Sequence, residues 1–289
     1  MTMTAKDFSA AELEAIRSDF PILSRHGRGG APIAYLDASA TSQKPRQVIE
    51  AEADFYRLHN GAVHRGTHLL GDESTDAFER ARSVLAGFIG GRADEVVWTK
   101  NATEAINLVA LAIGHASCGR GGAAAERLRI GQGDRIVITR AEHHANIVPW
   151  QELCARTGAE LAWLDLLEDG RVDLGTLSAI TPNTRLVALT HVSNVTGAVS
   201  PVDAVVAAAR EAGALVLLDT CQSSAHMPID VARLGADFAV FSSHKMLGPT
   251  GAGALWGRRE LLEAMPPVEG VDAPVTTGSA SEPAPEEKP

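Results

Sequence analysis

Lys245 ends an apolar run, in Phe241-Ser242-Ser243-His244-Lys245, and Asp219-Thr220-Cys221-Gln222 closes the apolar run before it. An amine at a strand-to-loop junction can form a Schiff base with an aldehyde. An acid at the matching end of a neighbouring strand can keep a pyridine nitrogen protonated, so that the ring accepts electrons. Together these are what a pyridoxal 5'-phosphate (PLP) site requires. The phosphate of such a group also needs donors and positive potential. Lys100-Asn101-Ala102-Thr103-Glu104-Ala105 places a hydroxyl where a strand turns into a helix, beside free backbone N–H groups and the positive end of the helix dipole. Thr103 is the expected phosphate ligand. Taken alone, it reads more simply as an N-cap with Glu104 behind it.

Glu142-His143-His144-Ala145-Asn146 follows the run Arg135 to Thr139 and opens another helix, so the His143 ring can reach the same rim and stack on a pyridine face. His191-Val192-Ser193-Asn194 ends the run begun at Thr184 and brings Asn194 there as a donor to a phenolic oxygen. Gln222, three residues after Asp219, can serve the same oxygen. The plainer alternatives are that Asn194 caps a turn before Gly197 and that Gln222 caps a helix. Adjacent histidines also suggest a metal, but sequence neighbours diverge in direction and no further ligand has the right spacing. His64 and His68 are one turn apart with Gly66 between them and no third ligand, so no metal is expected.

These residues need a frame, and the chain supplies one. Short apolar runs recur at Glu95-Thr99, Arg135-Thr139, Glu160-Leu164, Thr184-His191, Ala214-Leu218, Ala236-Phe241 and Gly253-Trp256. Several are continuous, as suits strands covered on both faces. Helical spacing fills Thr103 to Ile113, Ala145 to Arg156 and Pro201 to Glu211, and the alternation predicts an α/β fold with a mainly parallel, seven-stranded sheet and helices on both faces. Ligands of such sheets sit at the carboxyl ends of the strands, where Asp219 and Ser242 to Lys245 fall. Earlier in the chain, Ser9 to Arg17 reads as a short helix and Glu73 to Phe88 as a long one. Ser117 to Gly133 reads as a surface loop, and the Pro-, Ser- and Glu-rich end as a disordered tail.

A net charge of −10 disfavours nucleic acid as a partner. No leader-like start and no membrane-length apolar run is seen, which predicts a cytoplasmic protein. Cys118, Cys154 and Cys221 are odd in number and widely spaced, so neither disulfides nor zinc is expected. A nucleotide-binding oxidoreductase would need a glycine fingerprint after a strand, and Gly119-Arg120-Gly121-Gly122 is neither placed nor spaced for one.

In this order the residues resemble class V aminotransferase-fold PLP enzymes, and within them the cysteine desulfurases of iron–sulfur cluster assembly and their selenocysteine lyase relatives. The resemblance rests on Tyr35 to Pro45, Ala62 to Gly66, Thr103 to Leu108, Glu142 to Trp150, Thr190 to Asn194, Asp219 to Gln222 and Ser242 to Gly251. It implies the large domain of the fold type I PLP-dependent transferases over 35–267, after an N-terminal segment 1–34 and before a tail 268–289. By resemblance, Lys245 is the Schiff-base lysine, Asp219 the pyridinium partner and His143 the stacking ring. Thr103 with its neighbour Ala102, Ser242 and His244 correspond to the phosphate side, Asn194 to a substrate-side donor and Gln222 to the phenolic-oxygen donor.

The resemblance further implies L-cysteine or selenocysteine as substrate, a homodimer and a sulfur-acceptor protein. Family members continue well past Pro267 into a small C-terminal domain that carries the sulfur-accepting cysteine and a carboxylate-binding arginine. The expectation is therefore a chain without that domain: a desulfurase of doubtful activity, or a non-catalytic PLP-binding pseudoenzyme or dimerisation partner. Cys221 reads as a packing residue, and the likeness of Gly114 to Cys118 to the family's His-Cys loop as chance.

Overall fold

The computed structural model describes residues 8–268, so the expected tail lies, beyond Val268, outside the described residues. Seven strands form one sheet: β1 (Val96–Thr99), β2 (Arg135–Thr139), β3 (Glu160–Leu164), β4 (Thr184–Thr190), β5 (Leu215–Asp219), β6 (Phe238–Ser242) and β7 (Gly253–Gly257). Their order is β1-β7-β6-β5-β4-β2-β3. The five strands from β3 to β6 are parallel, β7 runs against β6, and β1 runs against β7. The apolar runs of the sequence are these strands, shifted by no more than two residues at either end.

Their continuity follows from burial on both sides. The helices are α1 (Ala10–Ser18), α2 (Arg46–Asp54), α3 (Leu69–Phe88), α4 (Ala102–Ser117), α5 (Val148–Thr157), α6 (Val202–Ala212), α7 (Val231–Leu234) and α8 (Arg259–Ala264). Ile136, Ile138, Leu186, Ala188 and Leu217 pack with Ile106 and Val109 of α4 and with Trp150 and Leu153 of α5. Their alternating neighbours Val137, Val187, Leu189, Val216 and Leu218 pack with Ala86 of α3 and Val205 and Ala209 of α6. The middles of the inner strands therefore need apolar side chains on both faces.

Three local readings change. The segment after α4 is not a surface loop throughout: a 3-10 turn, Gly122–Leu128, sends Ala125 and Leu128 into the core, Ile130 follows, and Ser117 Oγ accepts the Ile130 N–H at 2.9 Å. A stretch rich in Gly and Ala hides two such anchors because its mean composition is that of a loop. The long helix begins at Leu69 rather than Glu73, because His68 caps it by accepting the Gly71 N–H on Nδ1 at 3.2 Å. His64 pairs instead with Glu79, 2.8 Å away, so the two histidines weighed as a metal pair serve separate ends of the segment. Among the described residues no helix is long and apolar enough to cross a membrane.

Candidate active site

A cavity of about 480 Å³ opens at the carboxyl ends of the parallel strands. Lys245, Asp219, His143, Thr103, Ala102, Ser242, His244, Asn194 and Gln222 all line it, with Ser39 and Ala40 from the N-terminal part of the chain. The sheet register explains why distant stretches meet: Thr190 pairs with Asp219, Asp219 with Val240, and Ser242 with Gly253. Gly253 is required there, since a Cβ on it would lie 2.5 Å from Asn101 Cα. The close approach brings the start of α4 against the end of β6.

At that junction the buried Ser242 Oγ accepts the Ala102 N–H at 2.9 Å, and Asn101 Oδ1 accepts the Glu104 N–H at 2.8 Å. Asn101, not Thr103, is thus the N-cap of α4. Thr103 lies in the first turn, exposed, and neither its N–H nor its hydroxyl has a protein partner among the described residues. Ser242 keeps its own hydroxyl hydrogen to donate. Three hydroxyl and amide donors at the positive end of a sixteen-residue helix make a seat for an anion.

Asp219 is buried, with 6% of its surface exposed, and its Oδ1 accepts the Cys221 N–H at 2.9 Å. The second carboxyl oxygen has no protein partner among the described residues, so a cationic N–H in the cavity can complete it. Cys221 also lines the cavity, its Sγ 3.6 Å from Ser242 Oγ. Burial pushes its thiol well above the ordinary thiol range, and the charge of Asp219 adds to this. Burial likewise lowers the His244 imidazole, helped by the positive charges of Lys245 and Lys44.

The loop that carries Lys245 is held by residues the sequence reading quoted without giving them a role. The His244 carbonyl, on the peptide that leads into Lys245, accepts from Ser42 N at 2.9 Å and Ser42 Oγ at 3.0 Å. It also accepts from Thr41 Oγ1 at 3.1 Å and Lys44 Nζ at 3.0 Å. Ser42 Oγ in turn accepts the N–H of Leu247, a non-glycine residue at φ 64. A left-handed conformation there costs about 1 kcal/mol and persists only when neighbours enforce it. Ser243 closes the loop by donating to the Pro249 carbonyl at 2.6 Å. The one readable signal for this clamp was the pairing of Thr41-Ser42-Gln43-Lys44-Pro45 with the lysine motif.

His143 stands exposed on the rim, its Nδ1 accepting the Ala145 N–H at 3.1 Å, which leaves the proton on Nε2. Asn194 is also exposed on the rim, but the turn before Gly197 is capped by Ser193, whose Oγ accepts from Val195 and Thr196. Gln222 caps no helix either: it donates to the Ser39 carbonyl at 2.9 Å and ties the N-terminal segment across the cavity mouth. Beneath His143 lies Glu142, a buried residue whose role is not legible in the sequence.

A class is thereby defined: an α/β domain whose strand ends hold a free lysine, a half-satisfied carboxylate, an exposed imidazole and an anion seat. The chain belongs to the aminotransferase class-V family, whose profile matches residues 34–285. The cofactor of that family is PLP. The residues present fit it: the unpartnered oxygen of Asp219 meets a pyridinium N–H, and the open Thr103 and Ser242 donors meet a phosphate.

Among its relatives, the chain is 54% identical over 260 residues to "Probable cysteine desulfurase 2" of Mycobacterium leprae, covering 89% of this chain and 59% of that protein. It is similar in structure to an apo cysteine desulfurase from Thermococcus onnurineus, with a TM-score of 0.78 and 36% identity over 88% of this chain and 59% of the other. It is also similar to a cysteine desulfurase from Escherichia coli in its S-sulfonic acid form, with a TM-score of 0.74 and 38% identity over 90% and 60%. The chain thus spans about three fifths of the length of the relatives it matches.

Proposed function

We propose that this chain carries the cofactor half of a cysteine desulfurase, which converts L-cysteine to L-alanine and passes the sulfur on for iron–sulfur cluster assembly. The observation that supports this most directly is the cavity in which Lys245, Asp219 and the open donors of Thr103 and Ser242 converge. When bound there, PLP supplies an electron sink conjugated to the substrate Cα.

The chain's residues have the following parts in this reading. Lys245 would hold the group covalently, and its Nζ would take and return the substrate Cα proton. Asp219 holds the proton on the pyridine nitrogen, its orientation fixed by the Cys221 N–H. His143 covers one face of the ring and keeps water from it. Thr103, Ser242 and His244 hold the phosphate, with Ala102 fixing Ser242 through its N–H. Gln222 and Asn194 donate to the phenolic oxygen and the substrate side. A second subunit, a sulfur-acceptor protein and a cytoplasmic setting belong to the same reading. Exposed Leu36, Tyr56, Leu58 and Leu69 beside the N-terminal part of the chain support the dimer.

A second reading, PLP binding without desulfuration, is favoured by the thiols. Sulfur transfer needs a thiolate facing the substrate. Cys154 is buried with its thiol pushed up to about 11, Cys221 lines the cavity but is buried with its thiol pushed well above the ordinary range, and Cys118 is not among the cavity's lining residues. The sulfur-accepting step therefore rests on no cysteine of the described residues. Borohydride treatment of the protein with PLP, followed by peptide mass spectrometry, tests the anchor, and the expected adduct is on Lys245. Alanine and sulfide formation from L-cysteine then separates the two readings: turnover supports the desulfurase, and an adduct without turnover supports the second. An adduct on another lysine, or none, would sink both.

A further inference from the structure

Glu142 is a carboxyl with 8% of its surface exposed, enclosed by the ends of two strands and the turn that carries His143. Its Oε1 accepts from Thr139 Oγ1 at 2.5 Å, at the end of β2, and from the Thr190 N–H at 2.8 Å, at the end of β4. Its Oε2 accepts from Asn146 Nδ2 at 2.7 Å. Asn146 cannot turn its amide over, because its Oδ1 accepts the Trp150 indole N–H at 2.9 Å and an indole nitrogen only donates. The Asn146 N–H meanwhile donates to the His143 carbonyl at 2.7 Å. The directions of these bonds are therefore fixed from Trp150 through Asn146 to Glu142, and from the backbone of β4 to the same carboxyl. The turn between Glu142 and Asn146 is closed twice, once by backbone and once by this side-chain staple, and His143 is the residue it presents to the cavity.

We propose that Glu142 is a positioning residue for His143: its carboxyl staples the His143 turn to the ends of β2 and β4 and so fixes the imidazole over the cofactor cavity. The proposal rests on the PLP reading of that cavity. A glutamine at this position cannot reproduce the staple. Its oxygen satisfies the Thr190 N–H, but its amide then faces the Asn146 amide, donor against donor. Turning Asn146 only moves the conflict to the Trp150 indole. The staple fails while the packing volume is kept.

The test is a double-mutant cycle read by PLP affinity, from absorbance titration of the full chain, with no need for turnover. Glu142→Gln is expected to weaken PLP binding about tenfold, as for one buried polar group left unpaired. His143→Ala is expected to weaken it at least as much. The double variant should bind no worse than His143→Ala alone, because the staple acts through the ring. Thr139→Val, which removes one of the two donors to Oε1, keeps the question open should Glu142→Gln not fold, and is expected to weaken binding about threefold. In the PLP-free protein the Trp150 indole N–H resonance, assigned with Trp150→Phe, should move in Glu142→Gln, reporting the broken chain directly.

Losses that multiply in the double variant would overturn the proposal, since Glu142 would then act independently of His143. So would wild-type affinity in Glu142→Gln. If the wild type itself binds no PLP, the reading of the cavity falls and this inference with it, whereas unaltered binding in the variant sinks the inference alone.

Discussion

The two ends of the central sheet handle polar groups in opposite ways. At the carboxyl ends of β2, β4, β5 and β6, Thr139, Thr190, Asp219 and Ser242 are buried, and Glu142 is buried with them. At the amino ends, charges are paired in water: Arg135 with Glu160 at 2.7 Å, and Arg185 with Asp134 at 2.8 Å. A second cavity of about 680 Å³ opens at that end, lined by Arg127, Arg129 and Arg185 together with Glu126 and Asp134. Each cavity is large enough for a small molecule, yet only the first is walled by buried polar groups, Asp219 and Ser242 among them, with bonding capacity left over; the polar groups of the second are largely paired with one another. Burying polar groups costs stability unless each is satisfied, so a rim that keeps them buried is built for a ligand. Solvated pairs carry little energy and specify little. Volume alone does not distinguish a site; the bonding of its walls does.

The largest effect should come from Asp219→Asn. The amide still accepts the Cys221 N–H but cannot hold a pyridinium proton, so exchange of the L-alanine Cα proton with D2O should fall by about 10²–10³-fold. PLP should still bind. Exchange within threefold of wild type would show that the half-satisfied oxygen of Asp219 has no electronic part.

Next in size is the pH dependence that Glu142 gives the fold. Burial pushes its carboxyl from 4.5 up to about 8, against the pull of its three donors, and the neighbouring Asp219 charge adds to the rise. A carboxyl raised in the folded state favours folding when protonated. Its contribution is therefore fully present below about pH 4.5 and is lost as pH rises towards 8, after which the loss is complete. The PLP-free wild type should lose a few kcal/mol of stability across that window relative to Glu142→Gln, which has no proton to release there. Urea unfolding at pH 5, 6.5 and 8.5 measures it, and parallel curves for the two proteins would contradict the rise.

A smaller effect is expected at the clamp on the lysine loop. Lys44 is one of three residues whose side chains bond the His244 carbonyl, and burial lowers its amine below the ordinary lysine range. Lys44→Met leaves Thr41 and Ser42 in place and should speed PLP loss on dilution only about threefold. Loss as fast as in Lys245→Ala would mean that Lys44 holds the group directly rather than through the loop.

Much of this contrast is legible in the sequence. The strands showed because burial on both faces forces unbroken apolar runs, and their ends located Asp219 and Ser242 to Lys245. The cap of α4 was misplaced by two residues because Asn101 and Thr103 are both good caps, and the choice depends on how closely Gly253 lets β7 approach. Glu142 was missed for a different reason. A glutamate is ordinarily a surface residue, and nothing in Glu142-His143-His144 says that three donors from β2, β4 and Asn146 converge on it. The clamp on His244 joins residues some two hundred positions apart, so only the folded chain could show that Thr41, Ser42 and Lys44 meet one carbonyl.

The smallest effect is the one that sharpens the comparison most. Arg185→Ala breaks the pair with Asp134, whose other oxygen still accepts the Gly131 N–H at 2.9 Å. The arginine side chain is 55% exposed, so its attraction is screened and it already gives up entropy to hold the pair. The expected cost is below about 1 kcal/mol in dilute buffer and vanishes in 1 M salt, with PLP affinity unchanged. Should Arg185→Ala instead weaken PLP binding as much as Glu142→Gln, the two ends of the sheet would be coupled through β4. The view of one end as site and the other as solvated frame would then have to be abandoned, because a strand rigid enough to carry that coupling makes both ends part of one machine.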